Sequence, residues 1–332
     1  MRPVVVTGVS GFIGRHVAKA LLERGVAVRG LVRRRSGIDG ALPAGVEVVE
    51  GDLANPAVAD DLTRGAAAVI HCAGAIRARS RQEFFATNGN GTQRIVEAAE
   101  QSGVERFVQV SSLAAREPDL SDYAASKREG ENAVARAARR ISWITVRPPA
   151  VYGPGDRATL PLVRALSRRT AWLPGTPAQR LSLIHVTDLA LALAMLASSR
   201  EPNAACFEID DGRPGGYGWP DFEAAASRVN GRPTRIGLIP KSLLIGPALA
   251  ASVSSLFVRR APLLSLGKLN ELYHPDWVAR GPRLEAVSAW RPTRGLETGL
   301  RETMAWYRER GWLPAGGAGS GDAFSRVGLT AS

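Results

Sequence analysis

Apolar and polar positions follow two rhythms along the N-terminal half of the chain. Val4, Val5 and Val6 form an uninterrupted β-branched run, as a strand buried on both faces requires. A glycine turn follows at once. Apolar residues then recur at Phe12, Ile13, Val17, Ala20 and Leu21, the stripe of an amphipathic helix over residues 12–23. Residues 26–32 and 106–110 read as further strands, and helical stretches lie between. Alternation of this kind over the first 150 residues predicts an α/β fold, a doubly wound parallel sheet with helices on both faces. Residues 204–209 read as a strand that returns to the sheet. The sheet domain is expected at 1–155 plus 183–212, and a smaller, mostly helical substrate part at 156–182 plus 213–313. The tail, 314–332, is rich in Gly, Ala and Ser, which predicts disorder. No internal repeat is present.

The first turn carries the first chemical signal. Thr7-Gly8-Val9-Ser10-Gly11-Phe12-Ile13-Gly14 has a strand before it and a helix after it. Its three glycines permit a tight turn, a close approach to a pyrophosphate, and close helix–strand packing. Amides at the helix start then face the phosphates. This predicts a dinucleotide site. At the end of the second strand, NAD-binding sites place Asp or Glu for the ribose hydroxyl. This chain has Arg33-Arg34-Arg35-Ser36 instead. Guanidinium groups suit a 2′-phosphate, so NADP is expected, with NAD as the alternative. A solvated charge run in an Arg-rich chain is the competing reading of these arginines.

The second signal is Tyr123-Ala124-Ala125-Ser126-Lys127, with Ser111-Ser112 upstream. Tyr123 and Lys127 are four apart and share one face of a helix. A phenol titrates near pH ~10 and is a poor base at neutral pH. A neighbouring ammonium and a positive nicotinamide ring would lower that value. The Tyr123 hydroxyl could then exchange a proton with a carbinol while hydride moves, and a Ser hydroxyl could hold the substrate oxygen. Only four of the 43 Lys and Arg residues are lysines, which makes a lysine at 127 notable. Either serine fits by position.

These pieces resemble the extended short-chain dehydrogenase/reductase family. The resemblance also rests on Asp52-Leu53, His71-Cys72-Ala73-Gly74, Asn88-Gly89-Asn90-Gly91-Thr92, Arg147-Pro148-Pro149-Ala150-Val151-Tyr152-Gly153-Pro154, and the late Trp290-Arg291-Pro292. It runs from residue 1 to about 313 and implies a Rossmann fold. It also implies that Ser112, Tyr123 and Lys127 are catalytic. By the same resemblance Thr7, Gly8, Gly11, Phe12, Ile13, Gly14 and Arg33 hold the cofactor. Asp52 and Leu53 would flank adenine, Ala73 and Gly74 would line the cofactor, and Asn88 would support the active-site helix. The turn from Pro148 to Val151 would lie beside the nicotinamide. Family members often pair through the helices at 81–101 and 121–139, so a homodimer is expected.

Two departures narrow the substrate. Nucleotide-sugar epimerases of this family grip the pyrophosphate with an Arg where this chain has Leu181, and Arg180 stands one residue early. On a strand that shift turns a side chain to the opposite face. His185 is expected to be structural. Residues 242–258 carry no charge over 17 positions, which suits either a buried helix or a greasy lid with peripheral membrane contact. The stretch is short for a membrane span, and Gly246 and Pro247 interrupt it. The segment from Leu269 to Val278 is similar to reductases of the 3β-hydroxysteroid dehydrogenase and dihydroflavonol reductase type. These features point to an NADP-dependent oxidoreductase that interconverts a secondary alcohol and a ketone on an apolar small molecule. The alternatives are a nucleotide-sugar epimerase or dehydratase with retained NAD, and a non-catalytic NADPH-binding scaffold similar to the accessory subunit of respiratory complex I.

Bulk properties add little. Net charge is +12, but the arginines are spread along the chain and no nucleic-acid motif is present. Cys72 and Cys206 have neither disulfide nor metal spacing, so no metal is expected. A strand that starts by residue 3 leaves no room for a cleaved leader, which predicts a cytoplasmic protein.

Overall fold

The computed structural model describes residues 2–33, 42–257, 261–262 and 264–314. Side chains at 252–257 lie outside that description. So do Arg34, Arg35 and Ser36 of the arginine run, Val258, and the predicted tail from 315 onward.

Six strands lie in the N-terminal half, most of them separated by helices. They are β1 (Val4–Thr7), β2 (Val28–Val32), β3 (Val46–Glu50), β4 (Ala68–His71), β5 (Arg106–Val110) and β6 (Ser142–Arg147). A seventh strand, Ala205–Glu208, pairs with β6, so residues near 204–209 do return to the sheet. The spatial order runs from that strand through β6, β5, β4 and β1 to β2 and β3. All neighbours are parallel. The order reverses between β1 and β4, which opens a crevice at their carboxyl ends.

The β-branched runs explain the layers. Val4 and Val6 face one core with Ile70, Val108 and Ile144, covered by α1 (Phe12–Leu22) and the helix Val186–Ala197. Val5, Val69 and Phe107 face the other core, shared with Leu62, Ile95 and Val134. Those three come from α2 (Pro56–Thr63), α4 (Gly91–Gln101) and α5 (Asp122–Ala137). Each such fully buried side chain contributes about 1.5–3 kcal/mol relative to exposure. A short helix α3 (Arg81–Phe84) and one π-helical turn, Phe85–Asn90, lead into α4.

A third core gathers Tyr152, Leu166, Leu173, Tyr217, Phe222 and Met304 over the carboxyl side of the sheet. It is mainly helical, with short parallel pairs such as Thr170–Pro174 with Arg235–Ile239 and Arg180–Leu181 with Asp276–Trp277. One buried carboxylate fastens this part to the sheet. Asp188, at the start of the helix Val186–Ala197, accepts from Thr293 N at 3.0 Å and Arg294 N at 2.8 Å. It also accepts from Thr293 Oγ1 and the Arg294 guanidinium. Trp290 Nε1 donates to the Asp188 carbonyl at 3.1 Å. Two motifs that are separate in sequence are thus one clamp.

Candidate active site

Parallel strands end on one edge, and the residues singled out by sequence stand along it. Thr7 closes β1, Gly8 and Gly11 form the turn, and Phe12, Ile13 and Gly14 open α1. Arg33, exposed, follows β2; Asp52 and Leu53 follow β3; Ala73 and Gly74 follow β4. Ser111 and Ser112 follow β5, and Pro148 follows β6. Val151 lies on the short strand Ala150–Tyr152 just beyond.

The first turn has no space for side chains. Gly8 has φ +66°, and a Cβ there would sit 2.8 Å from Ala73 N. A Cβ at Gly14 would sit 2.2 Å from the Gly8 carbonyl oxygen. The turn is therefore pressed against the end of β4. Gly11 caps α1 without a side-chain bond, and no acidic residue occupies the first turn. The amides of that turn lack intrahelical acceptors and carry the positive end of the helix dipole. A pyrophosphate fits such a cradle.

Thr7 does more than end a strand. Thr92 Oγ1 donates to the Asn88 carbonyl at 2.7 Å, so it must accept from His71 Nε2 at 3.0 Å. His71 Nδ1 is then the acceptor for Thr7 Oγ1 at 2.8 Å, and Thr7 Oγ1 accepts from Ala73 N at 3.1 Å. This one-way chain requires a neutral His71. Burial, aided by the Lys127 charge, holds its pKa at about 3. The chain joins β1, β4 and α4 directly beneath the crevice.

Asn88 sits in the π turn, a feature frequent at functional sites. Its side chain accepts from Ala75 N at 2.8 Å and donates to Ala75 O at 3.0 Å and Ser126 Oγ at 2.9 Å. Ser126 Oγ in turn donates to the Tyr123 carbonyl at 2.8 Å. Asn88 thereby ties the loop after β4 to the helix that carries Tyr123 and Lys127.

Ser112, Tyr123 and Lys127 come together on that edge. Ser112 Oγ accepts from Ala114 N at 3.2 Å, while Ser111 donates to the buried Glu131 at 2.5 Å. Burial pushes the Tyr123 phenol up to about 12; the nearby Ser112 hydroxyl opposes that rise and the Glu271 charge adds to it. Lys127 is 8 % exposed. Its Nζ donates to the Val110 carbonyl at 2.8 Å, and burial lowers its pKa to about 8. A Cβ on Gly74 would lie 3.7 Å from that Nζ.

Two buried carboxylates escaped sequence reasoning. Glu131 takes a two-pronged bond from Arg147, at 2.8 and 2.6 Å, besides the Ser111 hydroxyl. It thus fixes the ends of β5 and β6 on either side of the site. Glu271 accepts from Ser121, the N-cap of α5. No local sequence pattern signals either contact. Arg180 donates to the carbonyls of Gly215 and Gly216, both at 2.9 Å. His185 is fully buried, caps the helix Val186–Ala197, and titrates down to about 4 through burial. Among the described residues no group of three or more His, Cys, Asp or Glu is placed to hold a metal.

The sequence profile of the NAD dependent epimerase/dehydratase family matches residues 4–206. The chain belongs to that family. Ceramide reductase from Caulobacter vibrioides is 43% identical over 314 residues, 94% of this chain and 96% of the relative. The 2-alkyl-3-oxoalkanoate reductase of Stenotrophomonas maltophilia is 26% identical over 91% of this chain and 98% of its own. Among solved structures, MoeE5 in complex with UDP-glucose and NAD superposes with a TM-score of 0.69 at 25% identity, covering 93% of this chain and 99% of that one. This member of the epimerase/dehydratase family is therefore an NAD(P)-dependent oxidoreductase of the extended short-chain type.

Proposed function

We propose that the chain is an NADPH-dependent ketoreductase that converts a ketone to a secondary alcohol on a long-chain lipid of the ceramide class. The observation that carries this reading is the buried Lys127, bonded through Nζ to the Val110 carbonyl one helical turn from Tyr123 and beside the strand end that bears Ser112, on the edge where the glycine turn opens. The full-length likeness to a ceramide reductase supports the substrate class. The exposed Arg33 at the end of β2, with no carboxylate there, supports NADPH over NADH.

The bound dinucleotide supplies hydride to the carbonyl carbon. Gly8, Gly11 and the first turn of α1 would hold its phosphates, and Lys127 would meet its ribose. Ser112 donates a hydrogen bond to the carbonyl oxygen and fixes its position. Tyr123 gives that oxygen its proton as the carbon becomes tetrahedral. A phenol kept protonated by burial is the right acid for reduction at neutral pH. The Arg180 guanidinium is already bonded to two backbone carbonyls, which counts against its gripping a sugar nucleotide.

The test is direct. The full chain is incubated with a ceramide-class ketone in mixed micelles, with NADPH or NADH, and the lipid is followed by mass spectrometry. NADPH-driven conversion to the alcohol is expected, and Arg33→Asp should weaken NADPH binding selectively. No conversion with either nucleotide, or conversion of a nucleotide sugar alone, would reject the reading.

A further inference from the structure

The helix Lys241–Phe257 is apolar, yet over its described side chains, 241–251, the protein covers only one side. Ala248 is buried and Leu244 half-buried, packed with Leu269 and Tyr273. On the rest of its first turns Leu243 is 66% exposed, Ile245 41% and Leu249 45%. Ser242, Gly246 and Ala250 share that open side and bring no charge. A helix that is apolar toward solvent belongs against another surface, either protein or lipid.

Charge indicates which. Residues 229–267 hold Arg232, Arg235, Lys241, Arg259 and Arg260, and no Asp or Glu. Two of these arginines follow the helix directly and Lys241 begins it. The surrounding chain has net charge +12. Trp172, also largely exposed, lies over Gly237 in the strand that leads into the helix. Exposed aliphatic residues, a nearby indole and cationic flanks are the composition of a helix lying in a lipid headgroup layer. Among the described residues no helix is long and apolar enough to cross a membrane.

We infer that the exposed face of the helix Lys241–Phe257 docks on an anionic lipid bilayer. The contact is peripheral: Leu243, Ile245 and Leu249 enter the headgroup–acyl boundary, and the flanking cations meet lipid phosphates. The face is wired to the active site. Lys241 Nζ donates to Asn270 Oδ1 at 2.9 Å, and Asn270 Nδ2 donates to Leu120 O at 3.3 Å. The adjacent Glu271 holds Ser121, the cap of the helix that bears Tyr123. Docking therefore places the bilayer beside the Leu120–Ser121 turn that leads into the helix bearing Tyr123, where an acyl-chain substrate can be taken from the membrane. The lipid-substrate part of this statement rests on the proposed function; the docking part stands on the surface alone.

The experiment is vesicle flotation of the full chain with phosphatidylglycerol–phosphatidylcholine vesicles and with phosphatidylcholine alone. The wild type should float with the anionic vesicles and be released by salt. Leu243→Glu/Ile245→Glu/Leu249→Glu should lose at least tenfold in partitioning while reducing a short-chain, water-soluble ketone at the wild-type rate. Arg259→Gln/Arg260→Gln keeps the apolar face and should also lose anionic binding, so a folding defect in the first variant leaves the test intact. Wild-type protein that stays with the unbound fraction, or variants that float equally, would overturn the inference. A wild-type dimer that the Glu variant converts to monomer, with no flotation, would assign the face to a second copy and also overturn it. Flotation without turnover of any ketone would reject the proposed reaction and uphold the docking surface.

Discussion

Lys127 should cost the folded protein stability, and the cost should depend on pH in a defined direction. Its ammonium is buried, and a group that ordinarily titrates at 10.5 is held at about 8. Burial is the main cause, partly offset by the charge of Glu131. At ~1.4 kcal/mol per tenfold in proton affinity, the charged form costs about 3 kcal/mol relative to the unfolded chain. The sign is the reverse of the usual lysine case. Between about pH 8 and pH 10.5 the unfolded state binds more protons, so stability rises with pH in that window. Below it the cost is complete and constant. Lys127→Met removes this cost but strips the Val110 carbonyl of its donor, a loss of about 1–3 kcal/mol. Without dinucleotide, the variant should therefore match or exceed wild-type stability at neutral pH by up to about 2 kcal/mol. It should fall below the wild type near pH 10.5, a swing of about 3 kcal/mol. Urea unfolding of both proteins across that range, followed by tryptophan fluorescence, measures the difference. A difference that stays flat with pH would refute the reasoning. Turnover in the variant should drop by about 100-fold or more at every pH.

Other positions give sharper structural tests. Asp188→Ala strips the Thr293 and Arg294 amides and the Arg294 guanidinium of their shared acceptor, and should cost about 3–5 kcal/mol in chemical denaturation. Glu131→Leu strips Arg147 of its two-pronged partner and leaves it only Glu208, 3.7 Å away; a loss of about 2–4 kcal/mol is expected, with kcat falling more than nucleotide affinity because Ser111 and Pro148 flank the reacting edge. Gly14→Ala forces a methyl to 2.2 Å from the Gly8 carbonyl; displacement of the turn should lower nucleotide affinity at least tenfold by fluorescence titration.

The chain announces its local chemistry and conceals its long-range ties. The strand–glycine–helix start is legible because β-branched residues, turn glycines and a helical stripe occupy neighbouring positions. Tyr123 and Lys127 are legible because one helical turn separates them. Ser111 and Ser112 could not be separated by sequence, since adjacent residues leave a strand in opposite directions and only the unseen Glu131 determines which turns inward. The π turn at Asn88 was read as ordinary helix because apolar periodicity is nearly blind to one extra residue. Asp188 and Thr293 form one clamp, yet nothing local joins positions 105 residues apart. The run 242–258 showed its apolar character but not its exposure, because coverage depends on what the rest of the fold places against it.

The central claim is that Tyr123 delivers the proton as a ketone is reduced. Tyr123→Phe removes that hydroxyl and keeps the ring against Phe84, 6.0 Å away between centroids. The decisive measurement is single-turnover reduction of a ceramide-class ketone by wild type and Tyr123→Phe, with NADPH affinity determined on the same samples. The account predicts unchanged nucleotide affinity and a reduction rate at least about 100-fold lower. A variant that reduces the ketone at the wild-type rate would contradict it.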